Sequence, residues 1–93
     1  MENNNEVMVG NKPFMTYIGS VEHLLKRKNL KAISLKARGR NITKAVDLLE
    51  ASKNKFFKEL ELEVVSIKTS TSSFNYEGSE RVVSEIEIKI KRN

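Results

Sequence analysis

The chain has 93 residues, 39% of them hydrophobic, and 17 Lys+Arg against 12 Asp+Glu give it a formal charge of +5. This length predicts one small domain, and the composition is too apolar for a disordered chain. Cysteine is absent, which excludes disulfides, thiolate metal sites and cysteine nucleophiles. No apolar run is long enough to span a membrane and the N-terminus does not resemble a signal peptide, so we expect a cytoplasmic protein with no membrane partner.

The N-terminal third predicts a strand followed by a helix. Residues 1–5 are polar and are predicted to form a flexible tail ahead of a single domain over residues 6–92. A short strand is expected over Glu6–Val9, and a loop then leads to Pro13, which suits the first turn of a helix. Apolar residues follow at helical spacing, and the basic residues 26–28 suit the helix C-terminus.

The middle of the chain predicts a second strand and a second helix. Residues 33–38 alternate between apolar and polar or basic side chains, which is typical of a strand with one buried face. Gly39 ends this strand, and Asn41 is a plausible N-cap for the next helix. The apolar spacing, which includes Val46 and Phe56, carries this helix to about Phe57.

The remaining residues predict a long β-hairpin. Alternation begins at Leu60 and changes parity at Val65, and a shift of one residue inside a strand indicates a bulge. The polar residues 69–73 continue the strand, residues 74–78 are predicted to form the hairpin tip, and the last strand returns from about Val82.

The predicted order is therefore βαβαββ. This order predicts an α/β fold, and within that class an α+β two-layer sandwich. In such a sandwich two helices lie on one face of a mixed four-stranded sheet. The outer half of the hairpin has too few apolar residues to anchor a core. We therefore expect a long C-terminal β-hairpin arm that projects from the body and reaches into a partner.

Positive charge is concentrated in one interval of the sequence. Between Glu22 and Asp47 there are eight Lys or Arg residues and no acidic residue, so this interval carries +8 and the rest of the chain −3. We expect it to form one strand–loop–helix face. Such an asymmetry is typical of proteins that bind polyanions, although a solvated surface is the plainer alternative.

The sharpest feature of this interval is the segment that joins the second strand to the second helix. The strand places Lys36 and Arg38 on its polar face, and Gly39 allows the backbone to approach a ligand closely. Arg40 and Asn41 follow at the start of a helix, where free N–H groups and the helix dipole favour phosphate. Arginine can also grip phosphate oxygens in a bidentate manner. The residues alone predict a clamp for a phosphate backbone.

Catalytic chemistry has little support in the sequence. His23 is the one histidine and falls within the first helix pattern. Glu59, Glu61 and Glu63 alternate on a predicted strand, where they are solubilising or, alternatively, a weak site for a hard cation. A glycine-rich phosphate loop is absent. We therefore predict that the protein is not an enzyme and needs no cofactor or metal.

Four segments of the chain resemble the Alba family, which comprises small archaeal chromatin proteins and eukaryotic RNA-binding relatives. The segments are GNKPFMTY (residues 10–17), KARGR with the residues that follow it to Asp47 (residues 36–47), NKF (residues 54–56) and SEIEI (residues 84–88). They occur in the family's order, and the resemblance extends over nearly the whole of residues 6–92.

The resemblance implies a function as well as a fold. Members form homodimers that bind double-stranded DNA, and often RNA, with little sequence preference. Their two hairpins embrace the duplex at its minor grooves. We therefore expect a homodimer, with higher assembly on DNA, that coats and compacts chromosomal DNA in the nucleoid. The alternatives are an RNA-binding ribonucleoprotein subunit or RNA chaperone, and a structural subunit that docks on an acidic protein.

The resemblance also implies roles for individual residues. The family's principal binding positions fall on Lys12, Arg38 and Arg40, with Asn41 and Lys44 beside them. Asn11 stands where members commonly carry a lysine whose acetylation tunes DNA affinity, so we expect that switch to be absent or moved to Lys12. Phe56 matches an aromatic residue at which neighbouring dimers pack on DNA.

The hairpin adds three candidate contacts. Arg81 is the clear cation near the predicted tip, where Phe74 and Tyr76 are the aromatic residues. The two rings either stack on unpaired bases or wedge into a groove, or else they pack on each other to stiffen the tip.

Overall fold

The computed structural model describes residues 5–93 and has the predicted βαβαββ order. The strands are β1 (Glu6–Val9), β2 (Ala32–Arg38), β3 (Glu63–Tyr76) and β4 (Ser79–Lys91), and the helices are α1 (Phe14–Glu22) and α2 (Asn41–Ala51). The predicted tail over residues 1–5 lies outside the described residues, apart from Asn5. The carbonyl of Asn5 accepts a hydrogen bond of 2.8 Å from the amide of Ser34.

The four strands form one mixed sheet in the order β1-β2-β4-β3, which confirms the predicted fold class. Strands β1 and β2 are parallel, while β4 is antiparallel to both of its neighbours. The two helices cover one face, against which alternate residues of the central strands are buried, among them Ile33, Leu35, Ile88 and Ile90. The other face of the sheet, called here the open face, carries Lys36 and Arg38, as the alternation predicts.

Each helix ends in one wider turn, over His23–Arg27 after α1 and over Ser52–Phe56 after α2. In these turns the amide of Lys28 bonds to the carbonyl of His23, and that of Phe57 to Ser52, five residues back along the chain. The extra residue per turn rotates the side chains that follow. Phe57 is therefore buried and Phe56 is half-buried, whereas the regular spacing places Phe56 on the buried face.

The predicted strand start at Leu60 is wrong. Lys58–Leu60 form a 3₁₀ turn, and Glu61 follows with a left-handed φ of 50°. Leu60 and Leu62 are buried in the core, which explains their alternation with polar residues. Neither residue belongs to a strand. Strand β3 begins only at Glu63.

The predicted bulge in β3 is confirmed. Val64 pairs with Ile90 and Ser66 pairs with Lys89, so Val65 is the extra residue between them. The bulge changes which parity of β3 faces the helices. Beyond it the even-numbered residues share the open face with Arg38.

The hairpin projects from the body as predicted. Pairing between β2 and β4 ends at Arg38 and Glu85, so the outer part of the hairpin pairs only with itself over roughly 20 Å. The molecule accordingly measures 48 × 24 × 22 Å. The turn is narrower than predicted, because Tyr76 still pairs with Ser79 and only Glu77 and Gly78 lie outside the ladder. Their φ values of 50° and 79° are those of a two-residue type I′ turn.

Within residues 5–93, no helix has both the length and the apolar character needed to cross a membrane.

Candidate nucleic-acid interface

Two backbone segments meet at one end of the sheet. Strands β1 and β2 are parallel, so the loop after β1 and the turn after β2 leave the sheet at the same edge. The first of these segments carries Asn11 and Lys12, and the second carries Arg40 at the start of α2. All three side chains are exposed or half-exposed. We call this edge, with Lys12 and Arg40, the loop end.

The loop after β1 is held in place by two side chains from the helices. The Tyr17 hydroxyl accepts hydrogen bonds from the amides of Gly10 and Lys12, at 2.9 and 3.0 Å. The Lys44 ammonium donates to the carbonyls of the same two residues, at 2.8 and 3.2 Å, and lies 5.8 Å from the centre of the Tyr17 ring. Lys44 is thus engaged with the backbone beside Lys12.

The sequence pattern assigns Tyr17 to the apolar face of α1, so its role in the loop was not predicted. Its ring is buried, and its hydroxyl reaches past the start of the helix to the loop. A tyrosine four residues after Pro13 places a hydroxyl near the preceding loop, and this spacing is the signal that could have found it.

Gly39 sets the position of Arg40. Its φ is +52°, and a Cβ atom added there would lie 3.1 Å from Cγ2 of Val83. Its amide donates to the carbonyl of Ser84, which ties the turn to β4, and its carbonyl accepts from the amide of Ile42 at 3.0 Å. A side chain there would be strained by the dihedral angle and would crowd Val83, so glycine suits the position.

The prediction of Asn41 as N-cap is wrong by one residue. Asn41 is the first residue of α2, and Arg40 precedes it with helical dihedral angles. The bond from Ile42 to Gly39 starts the first turn early, and no side chain of the described residues caps it. The uncapped N–H groups face the same edge as Arg40 and attract anions.

The cations of β2 have carboxylate partners. Lys36 Nζ lies 2.9 Å from Glu6 and 4.0 Å from Glu87, and Arg38 Nε lies 2.6 Å from Glu85. The hydrogen bond to Glu6 raises the pKa of Lys36, and the one from Arg38 lowers the pKa of Glu85. Sequence inspection missed these pairs because the β2–β4 register, which sets Lys36 opposite Glu87 and Arg38 opposite Glu85, arises only when the sheet forms.

The expectation that the basic interval forms one face is wrong. Residues 26–31 precede β2, whereas Arg38 ends it, and a seven-residue strand separates the two groups by about 20 Å. At the far end Lys26 pairs with Glu59 at 2.5 Å and lies 5.4 Å from the centre of the Phe57 ring.

The hairpin continues the open face beyond Arg38. Through the β3–β4 register, Phe74 lies opposite Arg81 and Tyr76 opposite Ser79, on the face that carries Glu85. Both rings are about half exposed, and the Arg81 guanidinium lies 5.7 Å from the centre of the Tyr76 ring. Tyr76 is thus in contact with Arg81.

A groove connects several of these residues. It has a volume of about 730 Å³ and is lined by Arg38 and Glu85, together with Asn41 and Lys68. The structure therefore brings Arg38 and Asn41 to one concave surface, while Lys12 and Arg40 lie on the adjoining loop end. Phe56 belongs neither to the groove nor to the loop end. It lies at the end of the turn after α2, and Lys55 Nζ is 5.2 Å from the centre of its ring.

The fold and this surface define a class: small two-layer α+β proteins with a basic loop end and a projecting two-stranded arm. Comparison with known proteins narrows the class. The family model described as Alba matches residues 5–74. The chain belongs to the Alba family, as the four sequence segments predict.

Relatives agree over nearly the whole length. The chain is 36% identical over 92 residues to the DNA/RNA-binding protein Alba of Picrophilus torridus, covering 99% of this chain and 100% of that protein. It is 42% identical over 86 residues to DNA/RNA-binding protein Alba 1 of Archaeoglobus fulgidus, covering 90% and 91%. The solved structure of Alba from Thermoplasma volcanium matches with a TM-score of 0.86 at 35% identity, over 95% of this chain and 100% of that one. The relatives are named for nucleic-acid binding and not for catalysis.

Proposed function

We propose that this protein binds double-stranded DNA, and RNA, with little sequence preference, and that it coats and compacts chromosomal DNA as a homodimer. The observation that carries the proposal is the loop end, where a clamped loop and a glycine turn hold Lys12 and Arg40 beside the start of α2. The relatives of this protein are named as DNA/RNA-binding proteins, which supports the same proposal. We place the protein in the cytoplasm at the nucleoid, as one domain over residues 6–92 with no catalytic role and no cofactor.

The contacts that we assign are mainly to phosphates. Lys12 and Arg40 have no hydrogen-bond or ion-pair partner for their side chains within residues 5–93, so their charges face solvent. Asn11, Asn41 and the N–H groups of the first turn of α2 add neutral donors. Phosphate contacts position a protein on a duplex and carry no direct sequence information, which fits a sequence-tolerant protein.

The arm supplies the second part of the interface. It extends roughly 20 Å beyond the sheet, which is enough to follow a groove away from the body. Arg81 would contact the backbone or the groove there, and the half-exposed rings of Phe74 and Tyr76 offer stacking or wedging surfaces.

A homodimer is supported by the apolar surface of the edge strand. Val64, Val65 and Ile67 of β3 are 39%, 51% and 56% exposed, and an exposed apolar edge strand invites a partner chain. We propose that a second copy covers it. Phe56, half-buried beside Phe57, is the candidate contact between neighbouring dimers on DNA.

The test is a salt titration of binding to a DNA duplex, followed by fluorescence anisotropy. A dimer that neutralises roughly 6–10 phosphates should lose about 10³–10⁵ in affinity between 50 and 200 mM salt. Arg40→Ala should weaken binding to all sequences alike. Arg27→Ala, which removes the same charge at the far end, is the matched control. A response to salt that stays flat would contradict the proposal.

The second candidate function is binding to RNA as a ribonucleoprotein subunit or RNA chaperone. The half-exposed Phe74 and Tyr76 favour it, because aromatic stacking on unpaired bases is a common mode of RNA recognition. Competition between DNA and RNA duplexes of matched sequence separates the two functions. Docking on an acidic protein, the third alternative, predicts complexes that survive nuclease treatment.

A further inference from the structure

Arg38, like Lys36 and unlike Lys12 and Arg40, has a carboxylate partner within the described residues. Arg38 Nε donates to Oε2 of Glu85 at 2.6 Å, and the hydroxyl of Ser70 donates to Oε1 at 3.2 Å. The three residues lie side by side on β2, β4 and β3, because Glu85 is opposite both Arg38 and Ser70 in the two registers. Both carboxylate oxygens are therefore held in place by the sheet.

The exposure of the pair is unequal. The Arg38 side chain is 67% exposed, whereas that of Glu85 is 27% exposed. A ligand can reach the guanidinium from solvent, while the less exposed carboxylate is held by hydrogen bonds from both Arg38 and Ser70. The arginine lies in the groove, beside Asn41, where an incoming backbone would approach α2.

We infer that Glu85 restrains the affinity of this protein for nucleic acid, because its carboxylate neutralises the charge of Arg38 and takes up the Nε–H donor. The inference rests on the proposed function and assigns Glu85 as a positioning residue that acts through Arg38. The terminal N–H groups of the guanidinium stay open to a phosphate, but a phosphate bound there is repelled by the negative charge of Glu85 while it is attracted by Arg38. The pair has no net charge, so Arg38 attracts a polyanion less than Arg40 does.

The lowered pKa of Glu85 is consistent with this role. The hydrogen bond from Arg38 is the main cause, and it adds to the preference for the ionised form that a glutamate already has at neutral pH. The negative charge is therefore present under the conditions in which nucleic acid binds.

The experiment compares Glu85→Gln with Glu59→Gln in the full chain, with the same DNA duplex and a salt titration. Glutamine keeps the size of the side chain and a partner for Ser70 but removes the charge. Glu59→Gln is the matched control, because it makes the same change in net charge at an ion pair on the far end of the molecule. Melting temperatures of all variants check that each is folded.

We expect Glu85→Gln to bind roughly threefold to tenfold more tightly than the natural chain. We also expect the slope of log affinity against log salt to steepen by about 0.9 per protomer, the value of one added phosphate contact. Glu59→Gln should change affinity by less than about twofold and leave the slope unchanged. If the glutamine variant is poorly folded, Glu85→Thr repeats the measurement with a residue that suits a strand.

A second variant tests whether the effect passes through Arg38. Adding Arg38→Ala to Glu85→Gln should abolish the whole gain in affinity and slope. A gain that persists without Arg38, or a Glu85→Gln affinity equal to or below that of Glu59→Gln, would overturn the inference while leaving duplex binding intact. If the natural chain binds no duplex at all, the proposed function fails and this inference fails with it.

Discussion

Two groups of cations in the candidate interface differ in what the folded chain places beside them. Lys36 and Arg38 on β2 each have a carboxylate within 3 Å, whereas Lys12 and Arg40 at the loop end have no ion-pair partner within the described residues. The neighbouring strand that makes a sheet also supplies countercharge, and a loop has no such neighbour. Charge that looks uniform in the sequence is therefore unequally available to a polyanion.

The largest expected effect tests this difference directly. We expect Lys12→Ala and Arg40→Ala each to weaken duplex binding about tenfold, or about 1.4 kcal/mol, and to lower the salt slope by about 1. Lys36→Ala should cost only about twofold, because that charge is already shared with Glu6. Anisotropy titrations of the three variants give the comparison. Equal losses for all three would contradict the division into two groups.

The glycine turn that presents Arg40 gives the next effect. Gly39→Ala forces a side chain into a φ of +52° and against Val83, so we expect a loss of about 1–2 kcal/mol in the free energy of unfolding, with weaker binding as Arg40 moves. Gly19→Ala is the control. It lies within α1 with nothing within 4 Å of the new Cβ, and it should stabilise the protein by about 0.5–1 kcal/mol. Denaturant unfolding measures both, and destabilisation by both variants would rule out a special role for Gly39.

The clamp on the first loop gives a smaller effect. Tyr17→Phe removes an acceptor shared by two amides, and we expect a loss of about 1 kcal/mol of stability. The loop that carries Lys12 becomes less ordered, so affinity should fall by about twofold to threefold. Tyr76→Phe, which changes an exposed ring on the arm, should alter stability by less than about 0.5 kcal/mol. Faster hydrogen exchange at Gly10 and Lys12 would identify the clamp as the cause.

The smallest effect is the pH dependence of stability. Hydrogen bonds from Lys26 and Arg38 lower the pKa values of Glu59 and Glu85 below the ordinary 4.5. The unfolded chain therefore binds these protons first, so the stability from both pairs is complete above pH 4.5 and is lost as pH falls through the lowered values. The raised pKa of Lys36 acts in the opposite sense, with stability lost only as pH rises above its ordinary 10.5.

Melting temperatures across a pH series measure this effect. Both ion pairs lie at the surface, with Glu59 exposed and Glu85 half-buried, so each contribution is small, and Glu59→Gln or Glu85→Gln should flatten the acid limb slightly. An acid limb that is unchanged in both variants would show that other carboxylates control it.

Local pattern was enough to predict most of the fold. Three patterns carried the prediction: alternation in β2, helical spacing in α1 and α2, and the parity change at Val65. Each pattern shows which side chains are buried, and burial leaves a periodic signal in the local sequence. One of the errors lies where a helix departs from the regular period. The wider turn before Phe57 exchanges the roles of two adjacent phenylalanines, and spacing rules do not anticipate an added residue.

The sequence by itself determined the element order, the basic loop at Gly39, the arm and the family. Only the tertiary structure decided which cations have no partner within residues 5–93. The partners of Lys36 and Arg38 are at least 30 residues away along the chain and lie on other strands, and strand register brings them together. It also decided that Tyr17 and Lys44 serve the loop before α1. Those contacts join atoms across different elements, and their geometry exists only once the helices pack on the sheet.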